Sequence, residues 1–330
     1  MTGIVPLGWG SELPATTVTN EELAGALGGD AAALEAATGI RVRRRAAPGA
    51  GPSDLAAAAA RRALAAGGLT PEDVDLIVFA TMTPDIAFPG SGCFLQDKLG
   101  CRTIGALDIR AQCNGFLSAL ATADAFVRAG RVGRVLVCCA EVHSSGLDYT
   151  PRAAAVTPRF GDGAGVVVLG PGEPTALRSC VLHNDPAGFE RFWCEFPASR
   201  HYPARMTRPM FEAGRHYYTV DAPALAEQAR RSLAAVTHEA LAAAGVGPDA
   251  IALFLVHYVD PRVAREAAAL AGLPAERTLA TAEAAGHVAA AGLPIAITEA
   301  LASGRLRPGD LVCCAAFGAG VAWGGAVVRV

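Results

Sequence analysis

Charged side chains are scarce in this sequence, and lysine is almost absent. Only 18% of the 330 residues are charged, the net charge is −3, and Lys98 is the single lysine. The sequence therefore gives no reason to expect nucleic acid or an anionic membrane as a partner. The basic cluster at residues 41–45 is predicted to be a solvated turn after a helix. A hydrophobic fraction of 52% excludes a disordered or fibrous chain.

Long apolar runs and paired cysteines are also lacking. No stretch of about 18 apolar residues is free of charge, so no membrane span is expected. The first 14 residues lack a basic segment followed by an apolar one, so we expect no signal peptide. None of the nine cysteines forms a CxxC pair, and the doublets Cys138-Cys139 and Cys313-Cys314 lie in apolar runs that indicate core packing. We therefore expect a reduced, cytoplasmic protein without a metal or a cofactor.

The chain contains an internal repeat. A turn followed by a buried strand is predicted at residues 71–81 and again at 248–257. The segments 130–139 and 304–314 also match each other, and each precedes a glycine-rich turn and a closing strand. Continuous Val/Ile/Leu runs that alternate with alanine-rich helices are typical of parallel strands covered on both faces. The sequence thus predicts an α/β protein of two halves related by a pseudo-twofold axis.

We assign the first half to residues 1–170 and the second to residues 220–330, which is shorter and lacks the N-terminal segment of the first. Residues 171–219 break the pattern and are predicted to be an insert. The insert holds eight of the chain's twenty aromatic residues, which favours a lid, a pocket wall or a subunit contact over an ordinary satellite hydrophobic cluster. These are Phe189, Phe192, Trp193, Phe196, Tyr202, Phe211, Tyr217 and Tyr218.

Cys113 follows an apolar strand and precedes a segment with helical spacing, residues 116–129. The free N–H groups and the dipole at a helix N-terminus favour a thiolate, so this cysteine is a candidate nucleophile. Gly115 would allow a ligand or another backbone to approach closely. A buried structural cysteine remains the alternative.

Two histidines are predicted to face Cys113. Aligning the cysteine doublets places His287 opposite Cys113, so that both would begin a helix at the centre of the pseudo-twofold arrangement. His257 ends an apolar strand, at the sheet edge where α/β sites cluster. A single histidine there would more often be a core residue, but two that converge on a cysteine indicate a site.

Several short motifs in the sequence resemble those of a single protein family. They are residues 38–41 (Thr-Gly-Ile-Arg), 87–89 (Ala-Phe-Pro), the turn at Cys113, 159–165 (Arg-Phe-Gly-Asp-Gly-Ala-Gly) and 316–324 (Ala-Phe-Gly-Ala-Gly-Val-Ala-Trp-Gly). With these motifs the chain resembles β-ketoacyl-acyl carrier protein synthase III of the thiolase-like condensing enzymes along most of its length.

The resemblance implies a five-layered αβαβα thiolase-like fold and a homodimer, in which Phe88 would reach the acyl pocket of the partner. It implies an acyltransferase that loads an acyl group from a thioester, carried by an acyl carrier protein or coenzyme A, onto Cys113. The backbone N–H groups of Cys113 and Ala319 would hold the developing oxyanion.

This sequence also departs from the family pattern. Asp260 and His287 stand where the family has asparagines, and the tryptophan that stacks on the coenzyme A base is missing. Arg152 could match the arginine on the other side of that base. A glycine-histidine pair resembles the chain-elongating ketosynthases, which use a Cys-His-His triad, and also synthase III-like acyltransferases of natural-product pathways.

These departures leave the reaction open. We predict His257 as a base, and His287 as a neutral donor because of a helix dipole. Asp260 either orients His257 or caps the following helix, with capping favoured.

Condensation with a malonyl-type acceptor in fatty-acid-like or polyketide biosynthesis is favoured narrowly over ester or amide formation on a natural-product acceptor. A non-catalytic subunit of a heteromer is a lesser alternative. A degradative thiolase is excluded because no cysteine lies in the glycine loop of the tail.

Overall fold

The computed structural model describes residues 3–330 and shows a mixed α/β protein. Its strands are β1 (Gly3–Glu12), β2 (Thr16–Thr19), β3 (Val42–Arg45), β4 (Leu76–Ala80), β5 (Gly105–Ile109), β6 (Val135–Glu141), β7 (Gly163–Gly172), β8 (Leu177–Asn184), β9 (Phe192–Trp193), β10 (Thr219–Val220), β11 (Leu253–His257), β12 (Thr278–Ala280), β13 (Leu311–Gly318) and β14 (Ala322–Arg329). Its helices are α1 (Asn20–Leu27), α2 (Ala31–Thr38), α3 (Pro52–Ala66), α4 (Ser91–Leu99), α5 (Gly115–Arg128), α6 (Arg208–Glu212), α7 (Ala222–Ala244), α8 (Pro261–Leu270) and α9 (Gly292–Ala302).

Two five-stranded sheets have the same topology. The first has the order β1-β7-β6-β4-β5, and the second has the order β8-β14-β13-β11-β12. In the first sheet β4 runs parallel to β5 and β6, while β7 is antiparallel to β6 and β1. The corresponding strands of the second sheet pair in the same way. The predicted internal repeat is therefore confirmed.

The sheets and helices stack in five layers. Helices α3 and α4 pack on the outer face of the first sheet, and α7 and α8 pack on the outer face of the second. Helices α5 and α9 lie between the sheets and contact both. One cluster of buried apolar side chains surrounds the two central helices, and one lies beneath each outer layer of helices. This is the expected αβαβα arrangement.

The cysteine doublets belong to these clusters. In each doublet one side chain faces the central layer and its neighbour faces an outer layer, because successive strand residues point to opposite faces. Cys139 and Cys314 lie in the central cluster, whereas Cys138 and Cys313 lie in the outer ones. All four are buried, as the sequence predicted.

One part of the predicted organisation is wrong. Strand β8 falls in the range 171–219 that we assigned to an insert, yet it pairs with β14 as the edge of the second sheet. It occupies the place that β1 takes in the first sheet. The second half therefore does have a counterpart of the N-terminal strand. The sequence concealed it because an edge strand is only half buried and lacks a continuous apolar run. The division into domains itself stays a prediction.

The basic cluster is not a solvated turn. Residues 42–45 form strand β3, and the Arg43 side chain is buried. Its guanidinium donates hydrogen bonds to the carbonyl oxygens of Val18 and Pro158 and to Oδ1 of Asn20. These acceptors explain why a charged side chain is tolerated in the interior.

Among residues 3–330, no helix is both long and apolar enough to span a membrane.

Candidate active site

Cys113 lies between the two sheets, in a short 3-10 turn that leads into α5. Its side chain is only 1% exposed. The preceding residue, Gln112, has a φ of 46°, a strained conformation for a residue other than glycine. The matching turn before α9, Ala289–Ala291, contains the same feature, with a φ of 33° at Ala289. The two turns pack against each other at the centre of the molecule.

His287 makes the direct contact with the cysteine. Its Nε2 atom lies 3.3 Å from the Cys113 sulfur. The backbone of His287 is fixed by the loop that contains the Phe-Gly-Asp motif: its N–H donates to the Arg159 carbonyl (2.8 Å), and Gly161 N–H donates to the His287 carbonyl (3.1 Å). The glycine-rich loop thus positions the imidazole, a role that was not predicted from the sequence.

The predicted placement of His287 at the start of a helix is wrong. Helix α9 begins at Gly292, and the residue that occupies the position of Cys113 in the second half is Ala290. The stretch from the turn to the cysteine doublet is shorter in the second half than in the first, so aligning the cysteine doublets misplaced this segment. His287 reaches the site from the loop before the turn.

His257 ends β11, as predicted, and completes the group. Its ring stacks on that of His287, with centroids 4.6 Å apart and an interplanar angle of 17°. Its Nδ1 is 2.5 Å from the Thr281 hydroxyl oxygen. The first residue of α9 is necessarily small here, because a Cβ on Gly292 would lie 2.5 Å from the His257 ring.

The three side chains therefore converge. The Cys113 sulfur and one nitrogen of each histidine lie within 4.8 Å of one another, and all three residues are buried. Such a set could also hold Zn²⁺, since thiolate and imidazole are its usual ligands.

Backbone N–H groups surround the sulfur. Those of Cys113 itself and of Ala319, in the loop between β13 and β14, both lower the pKa of the thiol. At Gly318, the last residue of β13, any Cβ would overlap the Cys113 side chain. These are the two groups predicted from the sequence to form an oxyanion hole, and that role stays a prediction.

Burial nevertheless dominates the electrostatics of the thiol. Desolvation, together with the nearby Glu141 carboxyl, raises the pKa of Cys113 to about 12. The expectation that a helix N-terminus would yield a thiolate is therefore wrong for this state of the protein, because the dipole's contribution is smaller than the cost of burying an anion.

Both histidines are neutral near pH 7. Burial lowers the pKa of His257 to about 4. Burial holds the pKa of His287 well below its usual range, and electrostatic interaction with the neighbouring His257 and His143 lowers it further. The predicted neutrality of His287 is confirmed, but its cause is desolvation and not a helix dipole.

Asp260 caps a helix and does not orient His257. Its carboxylate accepts a hydrogen bond from the N–H of Arg262 at the start of α8, and it pairs with the guanidinium groups of Arg262 (2.7 Å) and Arg159 (3.2 Å). The favoured interpretation, capping, is confirmed. The alternative is wrong, because the partner of His257 is Thr281.

The two other predicted binding residues lie away from this centre. Arg152 is paired with Asp148 and lies over the ring of Tyr217. Phe88 is 80% exposed. Their roles toward a substrate stay predictions.

Four further residues near the site were missed by the sequence analysis. Glu141 is buried at the end of β6, where burial raises its pKa to about 7 while the backbone and hydroxyls of residues 81–83 donate to it. His143 follows two residues later, and Tyr218 and Thr281 complete the set. Glu141 and His143 could have been found from the sequence. Glu141 ends a fully buried strand and His143 follows it closely, and ionisable side chains are uncommon at such positions.

Comparison with known proteins agrees with this arrangement. The family model described as 3-oxoacyl-[acyl-carrier-protein (ACP)] synthase III matches residues 107–186, and the model of its C-terminal part matches residues 241–330. The priming β-ketosynthase from the R1128 polyketide biosynthetic pathway is 27% identical, covers 100% of this chain and 96% of its own, and superposes with a TM-score of 0.91.

Two further structures share more of the sequence. The 3-oxoacyl-[acyl-carrier-protein] synthase III from Aquifex aeolicus VF5 is 30% identical over 100% of both chains, with a TM-score of 0.87. The β-ketoacyl-[acyl carrier protein] synthase III from Thermus thermophilus is 32% identical over 98% of both chains, with a TM-score of 0.88. Identity at this level across the whole length shows that the chain belongs to the 3-oxoacyl-[acyl-carrier-protein] synthase III family.

Proposed function

We propose that this protein is an acyltransferase that loads an acyl group from a carrier thioester onto Cys113 and condenses it with a malonyl-type acceptor. The observation that carries the proposal is the contact between the Cys113 sulfur and His287 Nε2, 3.3 Å long, beside two backbone N–H groups that face the same sulfur. A nucleophile next to a base, with donors for an oxyanion, is what acyl transfer requires.

In the loading step the Cys113 sulfur attacks the thioester carbonyl. Because the pKa of the thiol is about 12, the proton passes to His287 Nε2 as the new sulfur–carbon bond forms, and no separate thiolate accumulates. The N–H groups of Cys113 and Ala319 stabilise the oxyanion. The bond from carbon to the donor sulfur then breaks, and the donor leaves as a thiol with the proton that His287 returns.

In the condensing step a malonyl thioester loses carbon dioxide, and its enolate attacks the acyl carbonyl. Neutral imidazoles donate one N–H each. With Thr281 O–H donating to His257 Nδ1, the proton of that ring lies on Nε2, and this N–H can hold the enolate oxygen. The bond from carbon to the Cys113 sulfur breaks, and the thiolate that leaves takes up a proton from solvent.

Transfer to a hydroxyl or amine is the second candidate, and one observation favours it. A histidine, His287, stands in contact with the sulfur where the family has an asparagine amide. Imidazole can accept the proton of an alcohol, which an amide cannot do.

The supply of the acyl group and the assembly of the protein are part of the proposal. We expect an acyl carrier protein as donor, by analogy with the family. We also expect a homodimer, because β5 is the edge strand of the first sheet and exposes Leu107, while Phe88 and Ile86 are exposed nearby in sequence. An open apolar edge strand is ordinarily covered. The nine cysteines, none of them disulfide-bonded in the described residues, suit the cytoplasm.

Intact-protein mass spectrometry tests the first step. After incubation with an acyl thioester, the wild type should gain the mass of the acyl group. Cys113→Ala should gain nothing, while Cys314→Ala, a variant in the buried doublet of β13, should load like the wild type. If the wild type gains no mass from any thioester, the alternative of a non-catalytic subunit is supported and the proposal fails.

Release of labelled carbon dioxide separates the two reactions. The acyl-loaded enzyme is mixed with malonyl thioester that carries the label in its free carboxyl group. Release that is lost in His257→Ala, the residue whose N–H would hold the enolate oxygen, supports condensation. Absence of release, together with transfer of an intact acyl group to a hydroxyl or amine acceptor, supports ester or amide formation instead.

A further inference from the structure

A cavity of about 260 Å³ opens beside the nucleophile. Gln112 and Ala319, which flank the Cys113 sulfur on the turn and on the oxyanion loop, form one side of it. The aromatic segment forms the opposite wall through Phe189, Phe192, Trp193 and Tyr218. Any acyl group carried by Cys113 therefore extends along a wall that contains a phenolic hydroxyl.

The hydroxyl of Tyr218 lies within hydrogen-bond distance of the His143 imidazole. His143 Nδ1 lies 3.4 Å from the Tyr218 oxygen, and the two rings meet edge to face with centroids 5.8 Å apart. His143 is fully buried, its ring packs on Phe160, and it lies 6.5 Å from the ring of His287. Its Nε2 has no hydrogen-bond partner among the described residues.

This arrangement is poorly suited to a purely apolar acyl group. A buried imidazole that lacks a second partner weakens folding, because a polar group without a hydrogen bond is costly in the interior. An apolar side chain at position 143 would avoid that cost and would serve an alkyl chain equally well. The imidazole instead offers a hydrogen-bond partner to the hydroxyl of Tyr218, a residue that lines the cavity next to Cys113.

We propose that Tyr218, positioned by His143, hydrogen-bonds an uncharged oxygen substituent, a hydroxyl or keto group, on the acyl chain carried by Cys113. This inference rests on the proposed function of Cys113 and names the class of donor that the same site selects.

The surroundings favour an uncharged substituent over a carboxylate. The Glu141 carboxyl acts electrostatically on both Cys113 and Tyr218, so a second anion between them would be repelled. Burial leaves His143 neutral near pH 7, with its pKa lowered to about 3, so it offers no positive charge. The cation that lines the cavity, Arg110, is exposed to solvent.

Competition between matched thioesters tests the inference. The purified full-length protein is mixed with equal amounts of butyryl and 3-hydroxybutyryl N-acetylcysteamine thioesters, and the two Cys113 adducts are counted by intact-protein mass spectrometry. A second competition replaces the hydroxylated thioester with the succinyl one. We expect the wild type to load the 3-hydroxybutyryl group several-fold, up to about tenfold, faster than the butyryl group, as one hydrogen bond allows, and to discriminate against the succinyl group.

Three variants identify the residues responsible. Tyr218→Phe removes only the hydroxyl and should bring the ratio close to one while butyryl loading persists. His143→Phe should reduce the ratio in the same direction, and His143→Gln, which can still hydrogen-bond the phenol, should restore part of it. Tyr217→Phe, a neighbouring tyrosine that lies against Arg152, is the matched control and should keep the wild-type ratio.

The outcomes separate this inference from the proposed function. Loading of both thioesters at equal rates by the wild type overturns the inference and leaves the proposed function standing, as does preferential succinyl loading. If both Tyr218→Phe and His143→Phe keep the wild-type ratio of 3-hydroxybutyryl to butyryl loading, other residues recognise the substituent. That result also overturns the inference. If no thioester loads, the proposed function itself fails.

Discussion

Lowering the pH from 6.5 to 5 is expected to weaken folding steeply, because three buried histidines resist protonation in the native state. Burial lowers the pKa of His143 to about 3 and that of His257 to about 4, and the pKa of His287 also lies well below its usual range. In the unfolded chain each binds a proton near pH 6.5. The stability that these groups contribute is thus fully present above pH 6.5 and is lost as the pH falls.

One carboxyl opposes the effect. Burial raises the pKa of Glu141 from 4.5 to about 7. As the pH falls below 7, this group binds a proton in the native state before it does so in the unfolded chain, which increases stability. Between about pH 6 and pH 5 the unfolded chain therefore holds three extra histidine protons and the native state one extra carboxyl proton.

The difference of two protons sets the magnitude. Each proton contributes about 1.4 kcal/mol per pH unit, so the free energy of unfolding should fall by nearly 3 kcal/mol between pH 6 and pH 5. That is a large share of the 5–15 kcal/mol, roughly, by which domains are usually stable.

Urea titrations followed by circular dichroism at pH 7.5, 6 and 5, at one protein concentration, measure this dependence. His143→Phe should reduce the slope by about one proton, to roughly 1.4 kcal/mol per pH unit, and Glu141→Leu should raise it to roughly 4 kcal/mol per pH unit. His238→Gln changes an exposed histidine of α7 and should leave the slope unchanged. Slopes that are equal in the wild type, His143→Phe and Glu141→Leu would refute the reasoning.

Three further predictions concern the site and its surroundings. Thr281→Val removes the hydroxyl that hydrogen-bonds the His257 imidazole and should slow acyl transfer about tenfold in a steady-state assay, with little change in thermal unfolding. An unchanged rate would exclude a positioning role for Thr281. Gly292→Ala places a methyl group against the His257 ring and should reduce both the rate of acyl transfer and the thermal stability. A fully active variant would show that the His257 ring can move. Phe88→Asp introduces a charge at the exposed tip next to the β5 edge and should shift a dimer toward monomer in light scattering; a wild type that is already monomeric at micromolar concentration would contradict the proposed assembly.

The architecture followed from the sequence because its signals are local and repeated. Continuous apolar strands at residues 76–80 and 253–257, each behind a proline turn, show the pseudo-twofold repeat without any knowledge of packing. The small-residue turn at Cys113 lies between such a strand and a helix, so its position at the centre of the molecule also followed. Asp260 capped α8 as its position before a proline predicted.

The arrangement of the site was only partly accessible. That two histidines meet Cys113 was predicted, although the repeat alignment wrongly placed His287 at the start of a helix. The partners of each imidazole could not be predicted. Thr281 comes from a loop 24 residues beyond His257, and Tyr218 lies 75 residues beyond His143. No local pattern links residues at such separations, because their proximity results from how the two sheets and the aromatic segment pack.

The sequence by itself determined most of the strands and helices, the repeat and the position of Cys113 at a turn before a helix, since each depends on neighbouring residues. The tertiary structure decided the protonation states. Cys113 precedes a helix that should favour its thiolate, yet enclosure between two sheets raises the pKa of the thiol to about 12. His287 is neutral through burial and not through a dipole. Desolvation depends on everything that surrounds a group, and those surroundings exist only once distant segments have packed together.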